Sequence, residues 1–377
     1  MTAMDSFNRR ALLGAGAAGL ATWAAGATGA NAATLTDTSL PPPRVEDLVG
    51  PLLILGFLGD EPGAGTAPAL TEALGAGQVG GALLLRHNAR TRAGAEGLAA
   101  EMGAANPSAF LAIDQEGGFV QRLTEAMGYY KIPTAAALAE AGPEAAAQSF
   151  ARAASELRAA GFNLNLAPIA DLHQDVNAVI GRWRRAFGDD PAVVAQYCGL
   201  FVDAMEAQGI ACSIKHFPGH GRSQGDSHDG FVDLTQTWTF EEVEPFARLI
   251  ASDHAHLIMG GHLINERLDP SGAPVTLSKP ILTGLLRQAM GYRGAVITDD
   301  LDMGAIRDHH SREDAFIQAL QAGNDLILIS NSANADPDLP RRCVDWAGAA
   351  IERGDLTLDR LIEANARVTA LKAHIGL

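Results

Sequence analysis

Residues 215–228, "KHFPGHGRSQGDSH", place three histidines, a lysine and an aspartate within fourteen positions. His216 and His220 stand four apart, the spacing of a helical metal-ligand pair. Pro218 and Gly219 between them disfavour a helix, so the segment reads as a loop. Asp226-Ser227-His228 is a separate unit. In an extended chain, residues two apart face the same side. Asp226 can then accept a hydrogen bond from one imidazole nitrogen of His228 and fix its tautomer. The other nitrogen is left to give and take a proton near neutral pH. A metal site and a solvated polar loop stay open beside that acid/base dyad. A second carboxylate pair, Asp299-Asp300, closes the apolar run "GAVITDD". A carboxylate there can serve as a nucleophile, a metal ligand or a helix N-cap.

These residues need a frame that brings them together. Eight short apolar runs recur, at 51–57, 81–88, 109–114, 162–168, 210–217, 256–262, 294–300 and 325–330. Between them lie helical candidates: "PALTEALGAG", "AAAQSFARAASELRAAG", "PAVVAQYCGLFVDAMEAQG", "TFEEVEPFARLIAS", "KPILTGLLRQAMG" and "EDAFIQALQAG". Several close on Gly, as helix C-termini do. Strand–helix alternation of this kind predicts a parallel α/β fold, and eight units predict a single (β/α)8 TIM-type barrel. Such a barrel gathers the C-terminal ends of its strands on one face, where active sites sit. The polar residues fall at those ends: Asp114 after the third run, Asp171 after the fourth, Lys215-His216 on the fifth, His262 on the sixth and Asp299-Asp300 on the seventh.

Composition narrows the class. The chain has 377 residues, 47% of them hydrophobic, enough for a large core and incompatible with global disorder. A net charge of −16 argues against nonspecific nucleic-acid binding, which needs a basic footprint, and no nucleic-acid partner is expected. Cys198, Cys212 and Cys343 are widely spaced and form neither a zinc motif nor a disulfide framework. At the N-terminus, Arg9-Arg10 precede a weakly apolar Ala/Gly run and then Ala30-Asn31-Ala32, a small-x-small cleavage pattern. Residues 1–32 therefore read as a twin-arginine-type export signal cut after Ala32, which directs the protein to the periplasm or beyond. The run is too short and Gly-rich for a stable span, so no membrane insertion is expected after cleavage. Residues 33–48 read as a linker and 49–377 as the barrel domain. Oligomeric state is not legible.

Taken together, "KHFPGHG....DSH", "AIDQEGG.VQRL", "VIG...RAFGDDP" and "ITDDLDM" resemble family 3 glycoside hydrolases, closest to the single-domain bacterial β-N-acetylhexosaminidase branch. The likeness runs from about residue 49 to the C-terminus. It implies a retaining exo-β-N-acetylglucosaminidase acting on peptidoglycan- or chitin-derived fragments, with no metal and no cofactor. It implies Asp299 as nucleophile, His228 as general acid/base in place of the usual carboxylic acid, and Asp226 as its dyad partner. It implies Asp114, Arg122, Arg185, Lys215 and His216 as sugar-binding residues. His220 and His262 are left as structural or supporting.

Departures from the family pattern mark where that carry-over is weakest. Phe119 stands where a polar residue is more usual, and "GRWRRAFG" carries extra arginines and an apparent insertion, so that Arg182 or Arg184 competes with Arg185. Relatives of this branch in Gram-negative bacteria are typically cytoplasmic, which sets the export signal apart. A glycosidase of other specificity, a phosphorylase, a metal hydrolase and a non-catalytic sugar-binding barrel are the competing readings.

Overall fold

The computed structural model describes residues 43–377 except 178, 224, 226–229 and 231; the Asp226/His228 pair and the export signal thus lie outside the described residues. Eight short strands occupy the eight apolar runs: β1 Leu53–Leu55, β2 Gly81–Leu84, β3 Phe110–Ile113, β4 Leu164–Asn165, β5 Ala211–Phe217, β6 Leu257–Gly260, β7 Ala295–Thr298 and β8 Ile327–Ile329. They pair in parallel in the order β7-β6-β5-β4-β3-β2-β1-β8. A parallel bridge from Ile297 to Leu326 joins the two ends, supported by hydrogen bonds from Thr298 N to Leu326 O (3.1 Å) and from Leu328 N to Thr298 Oγ1 (2.9 Å). The expected barrel is therefore present, and closure removes the unpaired edges that an open sheet would expose.

The strands are apolar at nearly every position because both of their faces are covered, one by the barrel interior and one by helices. All residues of β1, β2, β3, β5 and β7 are buried. The six helical candidates form, at Ala67–Gly75, Pro143–Ala159, Pro191–Glu206, Glu244–Ala251, Pro280–Ala289 and Arg312–Ala322. Among the further helices, Arg92–Ala105, Leu339–Arg353 and Leu358–His374 were not apparent from the alternation. The first carries Gly94, Gly97 and Gly103, which lower intrinsic helicity. Packing accounts for one of them: a Cβ on Gly94 would lie 2.2 Å from Asp60 O. Thr91 caps that helix by accepting from Gly94 N at 3.0 Å.

One ionic knot ties the base of the barrel, at the N-terminal end of β8. The fully buried Asp325 accepts from Arg287 Nη2 (2.5 Å), Arg360 Nη2 (2.9 Å), Arg367 Nη1 (3.1 Å) and Val296 N (3.0 Å). Removing one member of a buried ionic group leaves uncompensated charge, here three guanidiniums around a void. Asp325→Ala is expected to lose about 3–5 kcal/mol of stability in denaturant unfolding; a loss below 1 kcal/mol would show that water screens the arginines.

Candidate active site

Lys215, on β5, is buried at the C-terminal end of the barrel, where an unpaired ammonium would be strongly disfavoured. Its Nζ donates to Asp114 Oδ1 at 2.9 Å and lies 2.8 Å from Glu116 Oε1. Arg122 Nη2 donates to the other Asp114 oxygen at 3.1 Å. Arg185 grips Glu116 with two parallel bonds, Nε to Oε2 (2.9 Å) and Nη2 to Oε1 (2.8 Å). Burial opposes ionisation of both carboxyls, but the cations outweigh it. Lys215 and Arg122 hold Asp114 well below the usual carboxylate range, and Arg185 and Lys215 hold Glu116 at about 2. Burial likewise lowers Lys215, and the two carboxylates more than restore it. The result is a fixed, ionised lattice from the loops after β3 and β4 and from β5 itself. One atom in it is unsatisfied: Arg122 Nε is buried and has no acceptor among the described residues.

A second network lies beside the first. Asp171, fully buried, accepts from the backbone N of His216 (3.1 Å) and of His220 (2.7 Å), and from His216 Nδ1 (2.7 Å). A carboxylate only accepts, so the His216 proton sits on Nδ1. Burial raises the Asp171 carboxyl, and the neighbouring imidazoles bring it below its ordinary value. Burial and His216 push His220 down to about 4, so it is neutral at pH 7 while Nδ1 pairs with Ser223 Oγ at 2.7 Å. The start of the Gly-rich loop is held from both sides. Asn177 Nδ2 donates to His220 O, Gly221 O and Ser223 Oγ at 2.8–2.9 Å. Glu242 accepts from Gly221 N (3.2 Å) and Arg222 N (2.9 Å), while burial and the Asp171 charge lift its carboxyl to about 7.

Asp299 and Asp300 follow β7 and divide their work. Asp300 Oδ1 accepts from Ser330 N (2.8 Å) and Asp302 N (3.0 Å), which makes it the cap of the turn; burial raises its pKa to about 6. Asp299 Oδ1 accepts from Asp300 N at 2.9 Å, and Oδ2 has no hydrogen-bond partner among the described residues. Loss of water would raise the Asp299 carboxyl, but His262, His216 and Lys215 hold it below its ordinary value. It is therefore an ionised carboxylate with one uncommitted oxygen, the form a nucleophile needs. His262 is fixed in place, donating from Nε2 to the Asp300 carbonyl (2.8 Å) with Nδ1 against Thr276 Oγ1 (2.8 Å).

Asp114, Lys215, His216 and Asp299 thus lie at the strand ends expected of them, and Arg122 and Arg185 join them from the loops after β3 and β4. Of the three arginines, Arg185 reaches the lattice, Arg184 pairs with Glu140, and Arg182 lies over the Trp183 ring. Sequence reasoning passed over Glu116, Glu242 and Asn177. Glu116 stands two residues after Asp114 and was legible as the same-face neighbour that spacing implies. Among the described residues, one trio of Glu206, His256 and His374 has ligand atoms within 4.8 Å of one another. His256 precedes β6, so the trio lies at the opposite end of the strands from Asp299.

The sequence matches the model of the glycosyl hydrolase family 3 N terminal domain over residues 52–371. A beta-hexosaminidase of Xylella fastidiosa is 39% identical over 262 residues, covering 67% of this chain and 76% of that protein. Beta-hexosaminidase A of Pseudoalteromonas piscicida is 31% identical over 334 residues, 82% of this chain and 55% of its own length. A solved glycoside hydrolase family 3 beta-N-acetylglucosaminidase from Paenibacillus sp. str. FPU-7 superposes with a TM-score of 0.79 at 32% identity, covering 88% of this chain and 62% of that one. The chain thus spans about half the Pseudoalteromonas protein and under two thirds of the Paenibacillus one.

The lattice around Lys215 makes a pH prediction. Glu116 is held at about 2 against 4.5, and Asp114 lies below 3.8. Depressed carboxyl pKa values stabilise the fold fully above the unfolded values, and that contribution disappears as pH falls from about 4.5 toward 2. Lys215→Met should lose about 3–5 kcal/mol at neutral pH and flatten this acid slope, read by chemical unfolding across the pH series. A variant keeping the parent slope would reject the lattice as its source.

Proposed function

This chain belongs to glycosyl hydrolase family 3, and we propose that it is a retaining exo-β-N-acetylglucosaminidase that hydrolyses terminal β-linked N-acetylglucosamine. The observation that carries the reading is Asp299, ionised and with an uncommitted oxygen, at the end of a barrel strand beside the Lys215–Asp114–Arg122 cluster. Asp299 attacks the anomeric carbon, forming a glycosyl–oxygen bond as the glycosidic C–O bond breaks. His228, oriented by Asp226, gives its proton to the leaving oxygen and then takes one from the water that releases the sugar. Two displacements on one carbon retain the β configuration.

The remaining residues bind. A neutral sugar offers hydroxyl donors and acceptors, which the Asp114 carboxylate and the Lys215 and Arg122 cations match. The unsatisfied Arg122 Nε supports a ligand oxygen at that spot, because buried donors seldom go unpaired. Arg185 acts through Glu116, which holds Lys215 beside Asp114. His216 adjoins Lys215 on β5, with its proton on Nδ1. Asp114, Arg122, Lys215 and His216 thus form the sugar-binding set of this reading, with Arg185 positioning it through Glu116, and no metal or cofactor takes part in it. The substrates proposed are fragments of peptidoglycan or chitin, met outside the cytoplasm if residues 1–32 act as an export signal; a secreted form beginning at Ala33 would support export, and an intact N-terminus in the cytoplasm would reject it.

Hydrolysis of an aryl β-N-acetylglucosaminide should far exceed that of the aryl β-glucoside, in chelator and without phosphate. Asp299→Ala should lose at least about a thousandfold in kcat while still binding N-acetylglucosamine. Unchanged turnover in that variant would remove Asp299 as nucleophile, and a phosphate-dependent sugar phosphate product would replace hydrolysis with phosphorolysis.

A further inference from the structure

Glu206, His256 and His374 meet at the base of the barrel, and the mechanism above uses none of them. Glu206 ends the helix Pro191–Glu206, His256 immediately precedes β6, and His374 ends the last helix, Leu358–His374. Helices of such a barrel run opposite to its strands, so both helices deliver their C-terminal ends to the face where the strands begin. His374 Nε2 lies 3.0 Å from Glu206 Oε2, and His256 Nε2 lies 3.6 Å from Glu206 Oε1. The two imidazoles stack with centroids 3.8 Å apart and planes tilted by 30°, and both turn Nε2 to the one carboxylate.

Hydrogen bonding alone does not account for this cluster. The 3.6 Å contact is too long for a hydrogen bond. Among the described residues, Glu206 has no Lys or Arg partner. Its carboxylate also stands where two helix C-termini meet, and their partial negative charge favours a cation. Ligand atoms at 2.0–2.2 Å from a tetrahedral zinc ion stand about 3.3–3.6 Å apart. The separations of 3.0 and 3.6 Å straddle that spacing. Two imidazole nitrogens and a carboxylate oxygen are a donor set that zinc takes. His374 is exposed, and a cavity of about 450 Å³ opens beside both imidazoles, lined also by Arg293, Glu363 and Arg367. Arg367 engages Glu363 there, which leaves the fourth position to water.

We propose that Glu206, His256 and His374 bind a zinc ion that clips the end of the C-terminal helix to the base of the barrel. The proposal does not rest on the glycosidase reading. The whole of β6 lies between His256 and the mouth, so the ion takes no part in turnover. Asp325 holds the same helix through Arg360 and Arg367, and the ion holds its last turn. The three ligands come together only in the folded chain, so zinc binding adds directly to stability.

Calorimetric titration of the untagged, chelator-stripped protein with zinc chloride tests this. The parent should bind zinc, and saturating zinc should raise Tm by roughly 5 °C while leaving kcat at room temperature unchanged. His374→Ala should weaken zinc binding at least about a hundredfold, more than loss of an outer-sphere partner costs, and should abolish the rise in Tm. Glu206→Gln should do the same. In chelator, His374→Ala should melt close to the parent, because its side chain is exposed and leaves no hole in the core. His254→Ala is the control: His254 pairs with Asp203 at 3.2 Å nearby but belongs to no such trio among the described residues, so it should bind zinc as the parent does. No binding by the parent would overturn the site. So would zinc binding that survives both His374→Ala and Glu206→Gln, or an equal loss in His254→Ala.

Discussion

Burying the Lys215 ammonium in the mouth of the barrel is unfavourable by several kcal/mol unless negative charge surrounds it, and most of the site follows from meeting that demand. Asp114 and Glu116, two residues apart on the segment after β3, face Lys215 together. Two carboxylates against one ammonium leave an excess of negative charge. Arg122 and Arg185 add two positive charges from two other positions, which leaves the cluster one positive charge in excess, and Arg185 brings the loop after β4 with it. Lys215 on β5 and Arg185 after β4 are thus tied to the two carboxylates of the segment after β3, which also carries Arg122. Moving any of these loops would strand a charge in a poorly hydrated place, so the lattice fixes its own geometry.

Asp171 does the same for the loop that begins at His216. One carboxylate accepts two backbone N–H groups and an imidazole, and Asn177 and Glu242 take the next polar groups along the loop. The chain is fixed as far as Ser223, just short of the dyad residues. In the proposed mechanism this matters, because His228 must reach the leaving oxygen from an anchored stem. Glycine at 221 is required for the close pass: a Cβ there would sit 2.2 Å from Leu172 O.

The fold was legible because the barrel repeats one pattern eight times. Apolar runs mark strands, here of two to seven buried residues, whatever their neighbours do, and each of the eight was located. Helices that depend on tertiary packing were not, as Arg92–Ala105 with its three glycines illustrates. Among site residues, those at strand ends were legible because topology alone gathers them. Asp114, Lys215 and Asp299 belong to that class. Asn177 and Glu242 were not, since their importance lies in satisfying the backbone of a loop far away in sequence, 44 residues from Asn177 to Gly221 and 21 from Glu242. Which of three arginines enters the lattice was undecidable from spacing; it turns on the positive φ of Arg184 (55°), which reverses the chain just before Arg185.

The two ends of the barrel use buried ions for opposite purposes. At the base, one carboxylate, Asp325, gathers three arginines, and every one of its oxygens is occupied. At the mouth, three cations surround two carboxylates, and among the described residues Asp299 keeps an oxygen and Arg122 a nitrogen without a partner. A fully satisfied network has nothing left to offer a ligand. The unsatisfied atoms are stable there because their neighbours hold the charged forms in place: His262, His216 and Lys215 keep Asp299 ionised, and Asp114 keeps Arg122 paired. Binding and chemistry can therefore begin at the mouth with little rearrangement of the protein, since the groups a sugar would meet are already charged, oriented and short of a partner.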